Sequence, residues 1–395
     1  MEIITPSATK ILFDLAATHP GALGSMHGGG VYAEVVFEKL VSLVEKNTLD
    51  VFYFAHKKVA PNILALCQKY GIVEHKINTR SDIQALVDTG KYHTLYSALP
   101  YENFANTDTK NIRFLYTVHG LRELEVPYSL QQWRYSLHWK RIVEWLFAMC
   151  FTRLYLKRTK NRFRQLLQKP NSQIITISEH SKYSILQKFG DIVSADDLTK
   201  LYSPLLDGDV KKQPLATSKN DFKYFLLING NRWIKNSYRA LKALQNFYSS
   251  NPECDVKTLV LGLDKPPVEF ADDDHFIFKG YISRDELESA FAKAYAFIYP
   301  SLNEGFGYPP LEAMKHGTPV LASAVSAIPE VCGDAVLYFN PYDESEIAIR
   351  IAEIYFDNNK RTDLIAKGHK RFEEITTSQT DMLLTLCHMI MQKSE

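Results

Sequence analysis

The chain has almost no surplus of charge. Its 46 lysines and arginines face 45 aspartates and glutamates across 395 residues, a formal net charge of +1. Nothing in that balance draws it globally to nucleic acid. Long apolar runs are missing as well: no 18 consecutive apolar residues occur, so no membrane-spanning helix is expected. The opening MEIITPSATKILFDLAATHPG has too short an apolar run, and no basic leader, for a secretory signal. Cysteine is scarce. Cys67, Cys150, Cys254, Cys332 and Cys387 are scattered, odd in number and in no metal-ligand spacing. They read as reduced core thiols of a cytosolic protein. The hydrophobic content of 46% is enough to fill sizeable cores, and the length suits two large domains.

Short apolar strands alternate with helical spacing along the chain. Residues 11–17 read as a buried strand. HPGALGSMHGGG follows, with Gly21, Gly24, Gly28, Gly29 and Gly30, and then helical spacing over 31–46. Strand, glycine loop and helix make a phosphate-cradle topology, although glycine loops also serve only to allow tight turns. Strands at 51–55, 94–98, 112–118 and 173–177 are interspersed with helices at 62–70 and 81–89, and Ser178 is placed to cap a further helix. Residues 201–204 read as the last strand of the first domain. This alternation predicts an α/β fold with parallel sheets, whose ligands sit at the carboxyl ends of strands. His119 stands at one such end, and Arg122 and Glu123 just beyond it would line the acceptor side.

The reading divides the chain into a first domain over 1–205, a polar linker over 206–221, a second domain over 222–377 and a C-terminal helix over 378–395 that crosses back. In the second domain a strand at 224–228 runs into Asn229-Gly230-Asn231-Arg232-Trp233-Ile234-Lys235-Asn236 and a helix at 237–248. Arg232 and Lys235 put two cations at a strand end. Fixed cations there stabilise charge that builds up on a leaving group. Further strands are expected at 257–262, 276–279, 296–299 and 335–339, with helices at 285–293, 343–356, 361–376 and 378–391. Ser283-Arg284-Asp285-Glu286 is a capping box. Asp272-Asp273-Asp274 reads as a solvated loop.

Residues 133–169 differ in character. Aromatic residues such as Trp133, Trp139, Trp145 and Phe151 are interleaved with ten basic residues and one acid, Glu144. A basic, aromatic helix or helix pair can rest on an anionic bilayer. It can equally pack across a domain with a solvated basic face.

The most informative stretch is YPSLNEGFGYPPLEAMKHGTPVL, residues 299–321. A strand breaks into Glu304-Gly305-Phe306-Gly307, and Pro309-Pro310 open a short helix, since proline is tolerated in a first turn. Seven residues separate Glu304 from Glu312. The amides of Phe306, Gly307, Tyr308 and Leu311 are close in sequence to a helix start, which attracts anions. Two carboxylates beside such a pocket suit a ligand with phosphates and many hydroxyls, such as a nucleotide sugar.

This segment resembles the donor-binding motif of retaining glycosyltransferases of glycosyltransferase family 4. The shared features are a Glu, seven residues and a Glu, an EGFG turn, EAM and GTPV. The resemblance implies the GT-B architecture, two Rossmann-like doubly wound domains facing across a cleft. It implies that Glu312 binds the ribose and Glu304 the donor sugar. It gives Phe306 and Gly307, with Arg232 and Lys235, the diphosphate, and Gly230, Gly305, Tyr281 and Ile282 further donor contacts. Gly28, Gly29 and Gly30 match the family's N-terminal glycine loop, and His119 a family histidine that meets the sugar. No metal and no cofactor beyond the donor are implied. The EGFGYPPLEAM version resembles bacterial mannosyl- and rhamnosyltransferases of surface-polysaccharide assembly, which implies GDP-mannose or a similar donor and a saccharide or lipid-linked acceptor. A nucleotide-sugar epimerase and a non-catalytic binding protein of the same fold are the alternatives.

Overall fold

The computed structural model describes residues 9–19, 28–104, 106–135, 139–204 and 222–393. Gly21, Gly24 and the linker over 206–221 lie outside the described residues. The chain divides into two units. Unit 1 comprises Met1–Leu121, Lys157–Gly208 and Thr376–Glu395, and unit 2 comprises Arg122–Leu156 and Asp209–Ile375.

Unit 1 holds a seven-stranded, all-parallel sheet: β1 (Lys10–Asp14), β2 (Leu49–Phe54), β3 (Val73–Ile77), β4 (Tyr92–Ser97), β5 (Arg113–Val118), β6 (Ser172–Thr176) and β7 (Leu198–Lys200), in the order β3-β2-β1-β4-β5-β6-β7. The helices of the first half of the chain are α1 (Gly28–Val41), α2 (Pro61–Tyr70), α3 (Ser81–Asp88), α4 (Arg122–Glu125), α5 (Trp139–Cys150), α6 (Thr152–Leu167) and α7 (Glu179–Phe189). The central strands are buried and mostly apolar between their ends, as a sheet covered on both faces requires.

Unit 2 holds a second parallel sheet of β8 (Tyr224–Leu227), β9 (Lys257–Leu261), β10 (Phe276–Lys279), β11 (Ala296–Tyr299), β12 (Val320–Ser323) and β13 (Val336–Phe339), in the order β10-β9-β8-β11-β12-β13. The helices of the second half of the chain are α8 (Ser237–Ser250), α9 (Arg284–Lys293), α10 (Tyr308–Lys315), α11 (Ile328–Cys332), α12 (Glu344–Phe356) and α13 (Asn358–Met391), and the last of these belongs to unit 1 from Thr376 on. Phe225, Leu241, Phe247, Val260, Ile298 and Ile351 lie at the heart of its core. The capping box at α9 is complete: Ser283 and Glu286 each accept the other's backbone N–H.

Several expectations are corrected. Residues 201–204 are not a strand. Leu201 N still donates to Thr176 O of β6 at 2.9 Å, but Tyr202 N donates to Met382 Sδ at 3.0 Å and Ser203 O accepts from Gln379 Nε2 at 2.5 Å, so from Tyr202 on the backbone turns to α13. The strand β3 was missed because it is a partly exposed edge whose sequence, VEHKI, has no apolar run. The two expected C-terminal helices are one 34-residue helix, α13, with no proline or glycine at 376–378 to break it. Cys150 is exposed, unlike the other four cysteines. Residues 122–156, assigned from sequence to the first domain, group with unit 2. The reason is local: Tyr135 lies in the unit 2 core, and its hydroxyl accepts from Tyr238 N at 3.1 Å and Ser237 Oγ at 3.4 Å.

Candidate active site

The chain order of the second sheet reverses between β8 and β11. From β8 the chain steps outward to β9 and β10, then returns to the other side of β8 as β11. Loops leaving two neighbouring strands on opposite sides part at such a point and leave a crevice at their carboxyl ends. The loops after β8, β11 and β12 meet there.

The β8 loop is shaped by two left-handed asparagines, Asn229 at φ 53° and Asn236 at φ 56°. Asparagine visits that region more readily than most residues. Between them a 3-10 turn, Trp233–Lys235, buries the lysine side chain. Leu302 N donates to Ile234 O at 2.8 Å and Ser301 Oγ to the same carbonyl at 3.3 Å, tying the β11 loop to the β8 loop. Lys235 Nζ then lies 2.5 Å from Glu304 Oε1 and 3.0 Å from the Tyr299 hydroxyl. Ser301 Oγ also donates to Glu304 Oε1. The backbone N of Glu304 donates to Ser326 Oγ at 2.8 Å, and Ser326 itself sits at φ 50°. Left-handed non-glycine residues carry strain and cluster at functional sites. No sequence pattern marked Ser301, Tyr299 or Ser326.

Burial opposes ionisation of Glu304, but the Lys235 ammonium, the Arg122 guanidinium and hydrogen bonds from Lys235 and Ser301 outweigh it and hold the carboxyl down to about 2. For Lys235 the balance falls the other way. Burial lowers its pKa below the usual lysine value, with Arg232 and Arg122 adding to the effect against the pull of Glu304. Both shifts arise where a buried carboxylate and a buried ammonium lie near the further charges of Arg122 and Arg232.

Arg122 reaches this site through α4. Asn303 Nδ2 donates to Glu125 Oε2 at 2.5 Å, and Arg122 lies one helical turn before Glu125. Its Nε is buried with no hydrogen-bond partner among the described residues. The sequence reading set Arg122 beside an acceptor in the first domain; the structure sets it beside Glu304. Arg232 is exposed at the edge of the same loop.

Glu312 lies on α10 and accepts from Arg284 Nη1 at 2.5 Å, while Arg284 Nε holds Glu288 at 3.2 Å. Arg284 had been read only as part of a capping box, because nothing in sequence links it to a residue 28 positions on. Gly307, the cap of α10, has φ 120°, a backbone that side chains rarely adopt. Pro309 and Pro310 fill the second and third helical positions and carry no N–H, so the first turn of this helix has fewer donors than usual. Phe306 is buried with its ring 5.4 Å from that of Tyr308, and Gly305 is half-buried beside Glu304. Tyr281 is exposed and its hydroxyl donates to Asn231 Oδ1 at 3.0 Å; Ile282 is half-exposed next to it.

Gly230 departs from the expected ligand contact. Its N–H donates to Leu261 O at 2.9 Å, and an added Cβ would meet Val260 Cγ1 at 2.9 Å. This glycine serves close approach of β8 and β9. Within the Asp272–274 run, Asp273 Oδ1 accepts from His275 Nδ1 at 2.8 Å, and that ring stacks on Tyr248 at 4.2 Å.

In unit 1 the expected glycine loop is partly helix. Gly28, Gly29 and Gly30 form the first turn of α1, and a Cβ on Gly29 would sit 2.8 Å from Leu99 Cδ1. His119 follows β5 as expected. Its Nε2 lies 2.9 Å from Ala98 O, and its ring meets Tyr32 edge-on at 4.8 Å. The switch point of this sheet lies between β1 and β4, where Ser97 Oγ donates to Asp14 Oδ2 at 2.7 Å. Complete burial pushes Asp14 up to about 6, against hydrogen bonds from Ser97 and Ala16. The sequence reading passed over Asp14.

Two parallel sheets with reversed strand order, each with polar groups gathered at its switch point, define the GT-B architecture of glycosyltransferases. Solved structures share it. Anabaena Alr3699/HepE in complex with UDP and glucose superposes with a TM-score of 0.63 at 15% identity, over 96% of this chain and 100% of that one. WaaG, a glycosyltransferase involved in lipopolysaccharide biosynthesis, gives 0.65 at 11% identity, over 96% and 99%.

Residues 218–371 match the family described as glycosyl transferases group 1. O-antigen mannosyltransferases are among the relatives. O-antigen chain mannosyltransferase RfbU of Salmonella typhimurium is 31% identical over 188 residues, 46% of this chain and 51% of that protein. O-antigen chain mannosyltransferase B of Escherichia coli is 41% identical over 107 residues, 26% of this chain and 28% of that protein. The matched stretches thus span about half, or less, of the relatives' length.

Proposed function

We propose that the protein is a retaining glycosyltransferase of family 4 that moves a hexose from a nucleotide sugar to a saccharide or lipid-linked saccharide in polysaccharide or lipopolysaccharide biosynthesis. The observation that carries this reading is the buried Lys235–Glu304 pair at the switch point of the second sheet, with Glu312 on the helix that follows. Glu312 accepts the ribose hydroxyls, oriented by Arg284. Glu304 accepts donor-sugar hydroxyls and faces the positive charge that develops on the ring. Arg232, Arg122 and the backbone at the start of α10 take the diphosphate, and Lys235 acts mainly by holding Glu304. His119 contacts the donor sugar.

As the glycosidic bond breaks, its electron pair leaves with the diphosphate. The acceptor hydroxyl attacks from the same face and its proton passes to the departing phosphate oxygen, which needs no protein nucleophile. The cations of the crevice meet the leaving charge, so the reaction is proposed to need no divalent ion. GDP-mannose or a similar donor is favoured by the likeness to proteins named as mannosyltransferases. No described helix is long and apolar enough to cross a membrane. A peripheral contact at the cytoplasmic face of the plasma membrane, through part of 133–169, is proposed for reaching a lipid-linked acceptor.

A thermal-shift screen of nucleotide sugars identifies the donor, since a specific ligand raises the melting point by mass action. Glu304→Ala and Arg232→Ala should each abolish transfer in folded protein, and full activity in either refutes the site. Turnover of donor without acceptor, releasing an altered sugar nucleotide, would establish the epimerase alternative instead.

A further inference from the structure

We infer that unit 1 carries a second ligand site, at the amino ends of β5 and β6, which takes a phosphorylated saccharide. The site is a cavity of about 1000 Å³, at the upper end of the roughly 300–1000 Å³ usual for small-molecule sites. Its walls come from the start of β5, the turn joining α6 to β6, the loop before β7 and the residues after α13, all within unit 1. Ser97 and Asp14 mark the switch point at the carboxyl ends of the same parallel sheet. The cavity lies at the other ends of the strands and is a separate place. It does not depend on the proposed transfer reaction.

Charge sets the sign of the ligand. Arg113, Lys169 and Lys393 line the cavity against one acid, Asp197. Asp197 Oδ2 already accepts from Ser194 N at 2.7 Å and Ser194 Oγ at 2.8 Å. Arg113 is half-buried, and its hydrogen bonds among the described residues go to neutral oxygens. Its Nη1 donates to Met389 O at 2.5 Å and Gln392 O at 3.2 Å, and its Nη2 to Gln173 Oε1 at 2.6 Å. Those bonds use three of the five guanidinium donors. The end of α13 supplies two of the acceptors, but a helix end carries only about half a negative charge and offsets part of one guanidinium. Burial holds both Arg113 and Lys169 below their ordinary pKa values, for Lys169 against the pull of Asp108. Both cations therefore gain from an anion beside them.

Neutral groups set the rest of the ligand. Gln168, Asn171 and Gln173 add side-chain amides to the same walls, and amides both donate to and accept from hydroxyls. Arg113 holds the oxygen of Gln173, which leaves its NH2 as the donor. Among the described lining residues none is aromatic, so a nucleobase finds no ring to stack on. A phosphate for the cations and hydroxyls for the amides describe a sugar phosphate. Gln392 and Lys393 follow α13, so a ligand bridging Lys393 to Lys169 and Arg113 also pins the end of that helix to the sheet of unit 1.

Calorimetric titration of the full chain with the 1- and 6-phosphates of glucose, mannose and galactose tests the site. At least one should bind about tenfold more tightly than inorganic phosphate and than its own free sugar. Its binding should slow backbone hydrogen exchange at 389–393. The double variant Q168A/K393E, altered only at exposed positions, should bind about tenfold more weakly, with the melting temperature and sugar transfer of the wild type. Arg232→Ala, in unit 2, should bind the sugar phosphate as the wild type does. No binding by any of the six sugar phosphates overturns the inference, as does unchanged affinity in the double variant. Loss of binding in Arg232→Ala also overturns it, by placing the ligand in the crevice of unit 2. Equal affinity for inorganic phosphate overturns the saccharide assignment.

Discussion

Lys235 and Glu304 stand 69 residues apart in the chain and 2.5 Å apart in the fold, with side chains only 8% and 10% exposed. Removing either partner leaves a buried charge with nothing opposite, which costs roughly 3–5 kcal/mol. Lys235→Met and Glu304→Leu should therefore each destabilise unit 2 strongly, and the double variant should cost much less than their sum. Urea unfolding of the four forms measures this coupling. Additive losses would mean the two side chains do not act as a pair.

Two carboxyls should shape stability against pH in opposite senses. Glu304 is depressed to about 2 from 4.5, so its contribution is present above about 4.5 and disappears as pH falls through about 2. Asp14 is raised to about 6 from 3.8, so the folded state favours its protonated form. That advantage is present below 3.8 and lost as pH rises through about 6; the full difference is about 3 kcal/mol. Asp14→Asn should stabilise the protein by about 2 kcal/mol more at pH 7.5 than at pH 4. Denaturant midpoints at the two pH values decide it, and an equal effect at both would exclude ionisation of Asp14 as the cause.

Arg284 holds Glu312 from the neighbouring helix. If Glu312 grips the ribose, Arg284→Ala should raise the donor KM about tenfold while kcat stays within about twofold, the signature of lost ground-state binding. The exposed arginine should matter little for stability. An unchanged KM would detach Arg284 from donor binding.

Gly307 and Gly28 make a matched pair. An added Cβ meets nothing within 4 Å at either, but only Gly307 has a positive φ, 120°. Gly307→Ala should cost about 1–2 kcal/mol through backbone strain alone. Gly28→Ala, at the start of α1, should be neutral or stabilising by up to about 1 kcal/mol. Thermal melts compare them; equal effects would remove backbone conformation as the explanation.

Much of the architecture was legible because it rests on local chemistry. Buried parallel strands must be continuously apolar, helices need 3.6-residue spacing and caps, and glycine or proline marks where they stop. Thus β10, the capping box at Ser283 and the Glu304-to-Glu312 segment could be read from neighbours in the chain. The edge strand β3 carried too little apolar sequence to be seen, and the long α13 had no local signal against the expected break.

The residue types present, and their spacing within one stretch, determined the strand, glycine turn and proline-opened helix over 299–315 and which glutamates it holds. Tertiary structure alone decided what those glutamates face. Lys235 turned from a presumed phosphate ligand into the buried partner of Glu304, Arg284 became the partner of Glu312, and Arg122 moved to the same crevice. Pairings of this kind depend on strand order and on which face of a helix meets its neighbours. Those are set by the burial of the whole core and leave no mark on any short stretch of sequence.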